Sequence, residues 1–117
     1  MKGHSMASAS FRLIAALVLL GACAGARADE LPTFTLVAKN GRFVPETLVV
    51  PANKRFRLVI RNEGPGPEEF ESDSPRKEKV LALGASSFLI YAPLPPGRYP
   101  FYGEFHPETA RGEIIAR

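Results

Sequence analysis

In the stretch RFRLVIR, Arg55 to Arg61, every second residue is strongly apolar. Phe56, Leu58 and Ile60 would share one face and Arg55, Arg57 and Arg61 the other, the period of two that a half-buried strand requires. TFTLVA, Thr33 to Ala38, repeats the alternation with Phe34, Leu36 and Ala38. TLVVP (Thr47 to Pro51), KEKVLAL (Lys77 to Leu83), SFLIYAPL (Ser87 to Leu94), a segment through Tyr99 and Phe101, and the closing GEIIAR read as further strands. Pro100 weakens pairing on one side of its strand. Turn signals separate them: Asn40-Gly41 within KNGRFVPE, Asn53 where a left-handed residue is tolerated, the Gly/Pro loop NEGPGPEEFES, and Pro96-Gly97. A sustained helical period is absent. Seven or so short strands with turns between them predict an antiparallel β-sandwich.

The N-terminal end follows a different rule. A short polar stretch with Lys2 and Arg12 leads into the apolar run Leu13 to Leu20, and small residues then end in Ala26-Arg27-Ala28. The run is too short to span a bilayer comfortably. A basic start, an apolar middle and a small-x-small exit make residues 1–28 a secretory signal peptide, leaving 29–117 as one domain. LGAC, ending at Cys23, also resembles a bacterial lipoprotein box, which would leave Cys23 lipidated and the protein anchored. By either route the domain works outside the cytosol.

Removing that leader changes the charge argument. Three of the 15 basic residues precede Asp29, whereas all 12 acidic residues follow Ala28, so the remaining domain is formally neutral. The basic footprint that nucleic-acid binding needs is lost with the leader. Cys23 is the sole cysteine, so no internal disulfide staples the domain. Met1 and Met6 also leave with the leader, which disfavours soft-metal ligation.

Two acidic stretches then stand out, PEEFES and GEFHPE. If both lie at one pole of a sandwich, carboxylates and one imidazole converge there, a donor set suited to Fe(II), Fe(III), Mn(II), Zn(II) or Cu(II). In an extended chain Glu104, His106 and Glu108 would lie on the same side. In the domain after residue 28, one histidine, no cysteine and no G-x-S-x-G elbow give no visible nucleophilic triad.

FVPETLVVPANKRFRLVIRNEGPGPEEFES, followed by GRYPFYGEFHPETARGEIIAR, resembles the cupredoxin-like periplasmic proteins of bacterial iron uptake, including the cupredoxin domain of the EfeO type. The resemblance runs from about Phe43 to the end and implies an all-β, Greek-key antiparallel sandwich of seven to eight strands with a metal pole. A blue-copper member carries one His after the strand that ends in Asn, then Cys, His and Met before its last strand. Aligned on FYGEFHP, the Cys position falls near Gly103, the second His on His106, the Met near Ala110 or Arg111, and the earlier His on Glu68-Glu69. Only His106 matches, so a type-1 copper centre, which needs a thiolate, is excluded. The resemblance implies instead an Fe or Cu ion held by Glu68, Glu69, Glu71, Glu104 and His106. It further implies a periplasmic accessory role beside an iron permease and other iron-uptake components, with help to Fe(II) oxidation through those partners. Membrane association would come only through a lipidated Cys23 or the permease. Alternation within EEFE sends Glu68 and Glu69 to opposite faces. Phe70 and Phe105 are expected in the core or lining the pole, and Glu108 as a cap on the turn after Pro107. The competing expectation is a metal-free sandwich that docks on a partner with its acidic pole.

Overall fold

The computed structural model describes residues 30–117, so the leader, the Cys23 lipoprotein box and the cleavage pattern lie outside the described residues. Nine strands occur among the described residues: β1 (Thr33–Lys39), β2 (Arg42–Val44), β3 (Thr47–Val50), β4 (Phe56–Asn62), β5 (Glu68–Asp73), β6 (Arg76–Leu81), β7 (Ser86–Tyr91), β8 (Gly97–Gly103) and β9 (Arg111–Ala116). They form a four-stranded sheet in the order β2-β1-β4-β7 and a five-stranded sheet in the order β3-β9-β8-β5-β6.

The all-β sandwich expected from the alternation is what the chain builds. Phe56, Leu58 and Ile60 are fully buried on β4, as are Leu36 and Ala38 on β1. Phe43 from the first sheet meets Phe70 and Phe101 from the second, edge to face, with centroids 6.0 and 5.5 Å apart. Phe56 stacks on Tyr91 at 4.7 Å. Pairs of this kind add about 0.5–1.5 kcal/mol beyond the area they bury; those of Phe43 tie the two layers together, while Phe56 and Tyr91 pair within the first sheet.

The sheets are mixed rather than purely antiparallel. β1 runs parallel to β4, and β3 parallel to β9. Parallel neighbours need a crossover, and β3 supplies one. The chain leaves the first sheet after β2, forms the edge of the second sheet, and returns as β4 beside β1.

Two strands lie in segments whose sequence reads as turn or loop. β2 follows the Asn40-Gly41 turn, where both residues have positive φ, 53° and 71°, and it closes a tight hairpin on β1. With three residues before Pro45, it offers too little alternation to be seen. β5 occupies the EEFESD part of the supposed Gly/Pro loop. Its inward positions are Glu68, Phe70 and Ser72, two of them polar, and this hides the period of two.

The path into β5 is set by Asn62, the buried last residue of β4. Its Nδ2 donates to Gly66 O (2.8 Å) and Leu81 O (3.1 Å), while its Oδ1 accepts from Gly64 N (2.9 Å). The Gly64–Pro67 stretch is thereby folded so that β5 starts at one end of the sandwich, where the loop after β8 also arrives.

Candidate metal centre

The carboxylate of Glu68 points inward, and its side chain is only 4% exposed. Oε1 accepts from the backbone N–H of Glu69 and of Phe105, each at 3.1 Å. Oε2 lies 2.6 Å from Nδ1 of His106. A buried carboxylate is costly unless its oxygens are satisfied, and here one imidazole and two amides satisfy it. His106 itself is about half exposed, and its Cδ2 packs near Gly41 on the β1–β2 turn.

The loop that carries His106 is folded in turns, not extended. His106 N donates to Gly103 O, Ala110 N to His106 O, and Gly103 N to Ala110 O. Glu104, His106 and Glu108 therefore do not share a side, contrary to what an extended reading of their spacing gives. Glu108 is exposed, and its side chain caps no turn among the described residues; the Pro107 carbonyl accepts instead from Arg111 Nε at 2.6 Å. Phe70 is in the core, whereas Phe105 stands out at the pole, 46% exposed.

The other glutamates lie on the opposite face of the same strands. Glu69 and Glu71 alternate outward from β5, and Glu71 pairs across the hairpin with Glu78 of β6. One oxygen each from Glu69, Glu71 and Glu78 lie within 4.8 Å of one another. Glu104, just beyond β8, donates its N–H to Glu69 O (2.9 Å) and reaches Glu71 with its side chain. Desolvation against the sheet, the hydrogen bond with Glu104, and the charges of Glu104, Glu69 and Glu78 push the Glu71 carboxyl above its ordinary range. Tyr102, paired with Glu71 from β8, is also pushed up, first by desolvation and then by Glu71, Asp73 and Glu104.

The five residues expected at one site thus divide in two. Glu68 and His106 engage each other at the buried pole. Glu69, Glu71 and Glu104 gather on the outer face, where Glu78 joins them. Glu78 was legible in principle, because it and Glu71 flank the Ser74-Pro75 turn at equal distance. Once EEFES is read as a strand, that symmetry makes them partners.

The pole does not fit type-1 copper. Gly103 stands at the cysteine position, and a Cβ there would lie 2.8 Å from both the Ala110 Cβ and Oε1 of Glu68. The described residues include no cysteine, and the Glu68 carboxylate and the buried Ala110 crowd the space a thiolate would need. The outer face fits a hard cation better, since its donors are carboxylate oxygens open to solvent.

Comparison with known proteins agrees with this architecture. A family model described as a cupredoxin-like domain matches residues 12–116. An uncharacterized protein of Rickettsia prowazekii (strain Madrid E) is 39% identical over 87 residues, covering 74% of this chain and 70% of that protein. Among solved structures, auracyanin A, a "blue" copper protein from Chloroflexus aurantiacus, superposes with a TM-score of 0.63 at 11% identity, covering 75% of this chain and all of that one (100%). The metal-binding domain of the Cu(I)-exporting P-type ATPase of Streptococcus pneumoniae D39, solved with Cu(I), gives a TM-score of 0.61 at 9% identity, covering 79% and 91%. At such identities the two structures bear on the fold alone.

Proposed function

The chain belongs to the cupredoxin-like domain family, and from that premise we propose that it is an exported metal-binding accessory protein of the EfeO-type branch, serving bacterial iron uptake. In this reading it takes an iron or copper ion on the outer carboxylate face, with Glu69, Glu71, Glu78 and Glu104 as ligands. The observation that carries the reading is the convergence of oxygens from Glu69, Glu71 and Glu78 within 4.8 Å. Three carboxylates this close repel one another, and a cation relieves that repulsion. Oxygen ligands also favour ferric over ferrous iron. A site of this composition would therefore ease Fe(II) oxidation by a partner and hold the product until a periplasmic component or an iron permease receives it. The N-terminal pattern supports delivery to the periplasm, as a free protein or one anchored through Cys23.

Calorimetric titration with Fe(II) under nitrogen, Cu(II) and Zn(II) tests the site. The expected result is stoichiometric binding of at least one ion, abolished in the Glu71→Gln/Glu78→Gln variant. Binding that survives in that variant, or none to the parent protein, overturns the proposal. In the latter case the open outer face, which carries Tyr102 among its glutamates, favours the second reading: a metal-free module that docks on a basic partner surface.

A further inference from the structure

The arrangement of the pole goes beyond the lack of a copper thiolate. We infer that the Glu68 carboxylate replaces the metal ion of the fold, holding the pole in its closed shape with no ion bound. In a metal centre, one ion ties side chains from separate elements together. Here a single carboxylate does so with its own hydrogen bonds. It joins β5, through the Glu69 amide, to the loop after β8, through the Phe105 amide and the His106 ring. That loop is closed in turn onto the β1–β2 turn by a hydrogen bond from Thr109 Oγ1 to Gly41 O.

The space agrees with this role. Oε1 of Glu68 lies 2.8 Å from where a Gly103 side chain would begin, so the carboxylate fills volume that a larger residue there would claim. The absence of a side chain at Gly103 and the small, fully buried Ala110 leave room for it. Charge agrees as well. A cation reaching Nδ1 of His106 would have to displace its 2.6 Å contact with Oε2 of a buried carboxylate whose other oxygen is already held by two amides. The pole is therefore metal-independent, and metal binding belongs elsewhere on the molecule or not at all. The inference does not depend on the outer-face proposal, because the two sites share no side chain.

Two measurements test it, made in the Glu71→Gln/Glu78→Gln background so that outer-face binding does not enter. Thermal melts with EDTA and with excess Zn(II) or Cu(II) should agree within about 1 °C, because an ion that binds only the native state raises the melting temperature. Hydrogen exchange at the Phe105 amide should quicken by about tenfold or more in Glu68→Gln, which keeps the shape but loses the charge. His106→Ala, at the half-exposed end of the pair, should quicken the same amide if Glu68→Gln does not fold. A melt lowered by EDTA or raised by metal, or Phe105 exchange unchanged in the variant that folds, overturns the inference.

Discussion

Replacing Asn62 by alanine removes three side-chain hydrogen bonds at the point where the chain leaves β4 for the pole. The residue is 3% exposed, and its partners Leu81 O and Gly64 N are bonded in buried surroundings, so water cannot readily take its place there. The bond to Gly66 O is partly buried and can be replaced by water. A buried group left without a partner costs about 1–3 kcal/mol, so two of them give a loss of about 2–6 kcal/mol. That is a large share of the roughly 5–15 kcal/mol typical of a domain. At about 4–8 °C per kcal/mol for a domain of this size, the melting temperature should fall by at least about 8 °C. Because the chain has no Trp, circular dichroism is the suitable probe for urea and thermal unfolding. Asn62→Asp should fare no better, since it keeps the acceptor for Gly64 N but sets a carboxylate oxygen against two carbonyls. A loss below about 1 kcal/mol in the alanine variant would refute the claim that Asn62 organises this segment.

Two further outcomes follow from the same structure. Glu71 is raised in the folded state, so its contribution to stability is full below the ordinary carboxylate range and is lost as pH rises through its elevated value. Glu71→Gln should therefore raise the melting temperature at neutral pH, with the gain vanishing in acid, and a melting curve unchanged at every pH would contradict the like-charge argument. Gly103→Ala puts a Cβ 2.8 Å from Ala110 Cβ and Glu68 Oε1 and should cost about 1–3 kcal/mol. Gly66→Ala meets nothing within 4 Å and serves as the control in the same urea titration.

Much of this fold was legible wherever the inward positions are apolar. Phe56, Leu58 and Ile60 announce β4, and Asn53 adopts the positive φ of 59° that its turn suggested. Legibility fails where a strand turns polar groups inward. Glu68 and Ser72 face the interior from β5, because the carboxylate oxygens of one are hydrogen-bonded by His106 and two amides and the other donates to Pro75 O (2.7 Å). Such satisfaction is a tertiary property that no local pattern carries. The parallel pairs β1–β4 and β3–β9 were invisible for a related reason, since strand direction depends on which sheet an intervening strand joins. For the candidate residues, alternation alone separated Glu68 from Glu69 and Glu71. What alternation lacked was the register of the β5–β6 hairpin, which brings in Glu78, and the turns of the 104–110 loop, which direct His106 to Glu68.

The most direct test of the account is to map where a hard cation binds, using Mn(II) as a paramagnetic probe and recording amide NMR spectra of the protein. Broadening should be strongest at Glu69, Glu71, Glu78 and Glu104 and weaker at the amides of Gly41 and Ala110 at the pole. Broadening centred on Gly41, His106 and Ala110 would place the ion beside His106 and contradict both the outer-face site and the role given to Glu68.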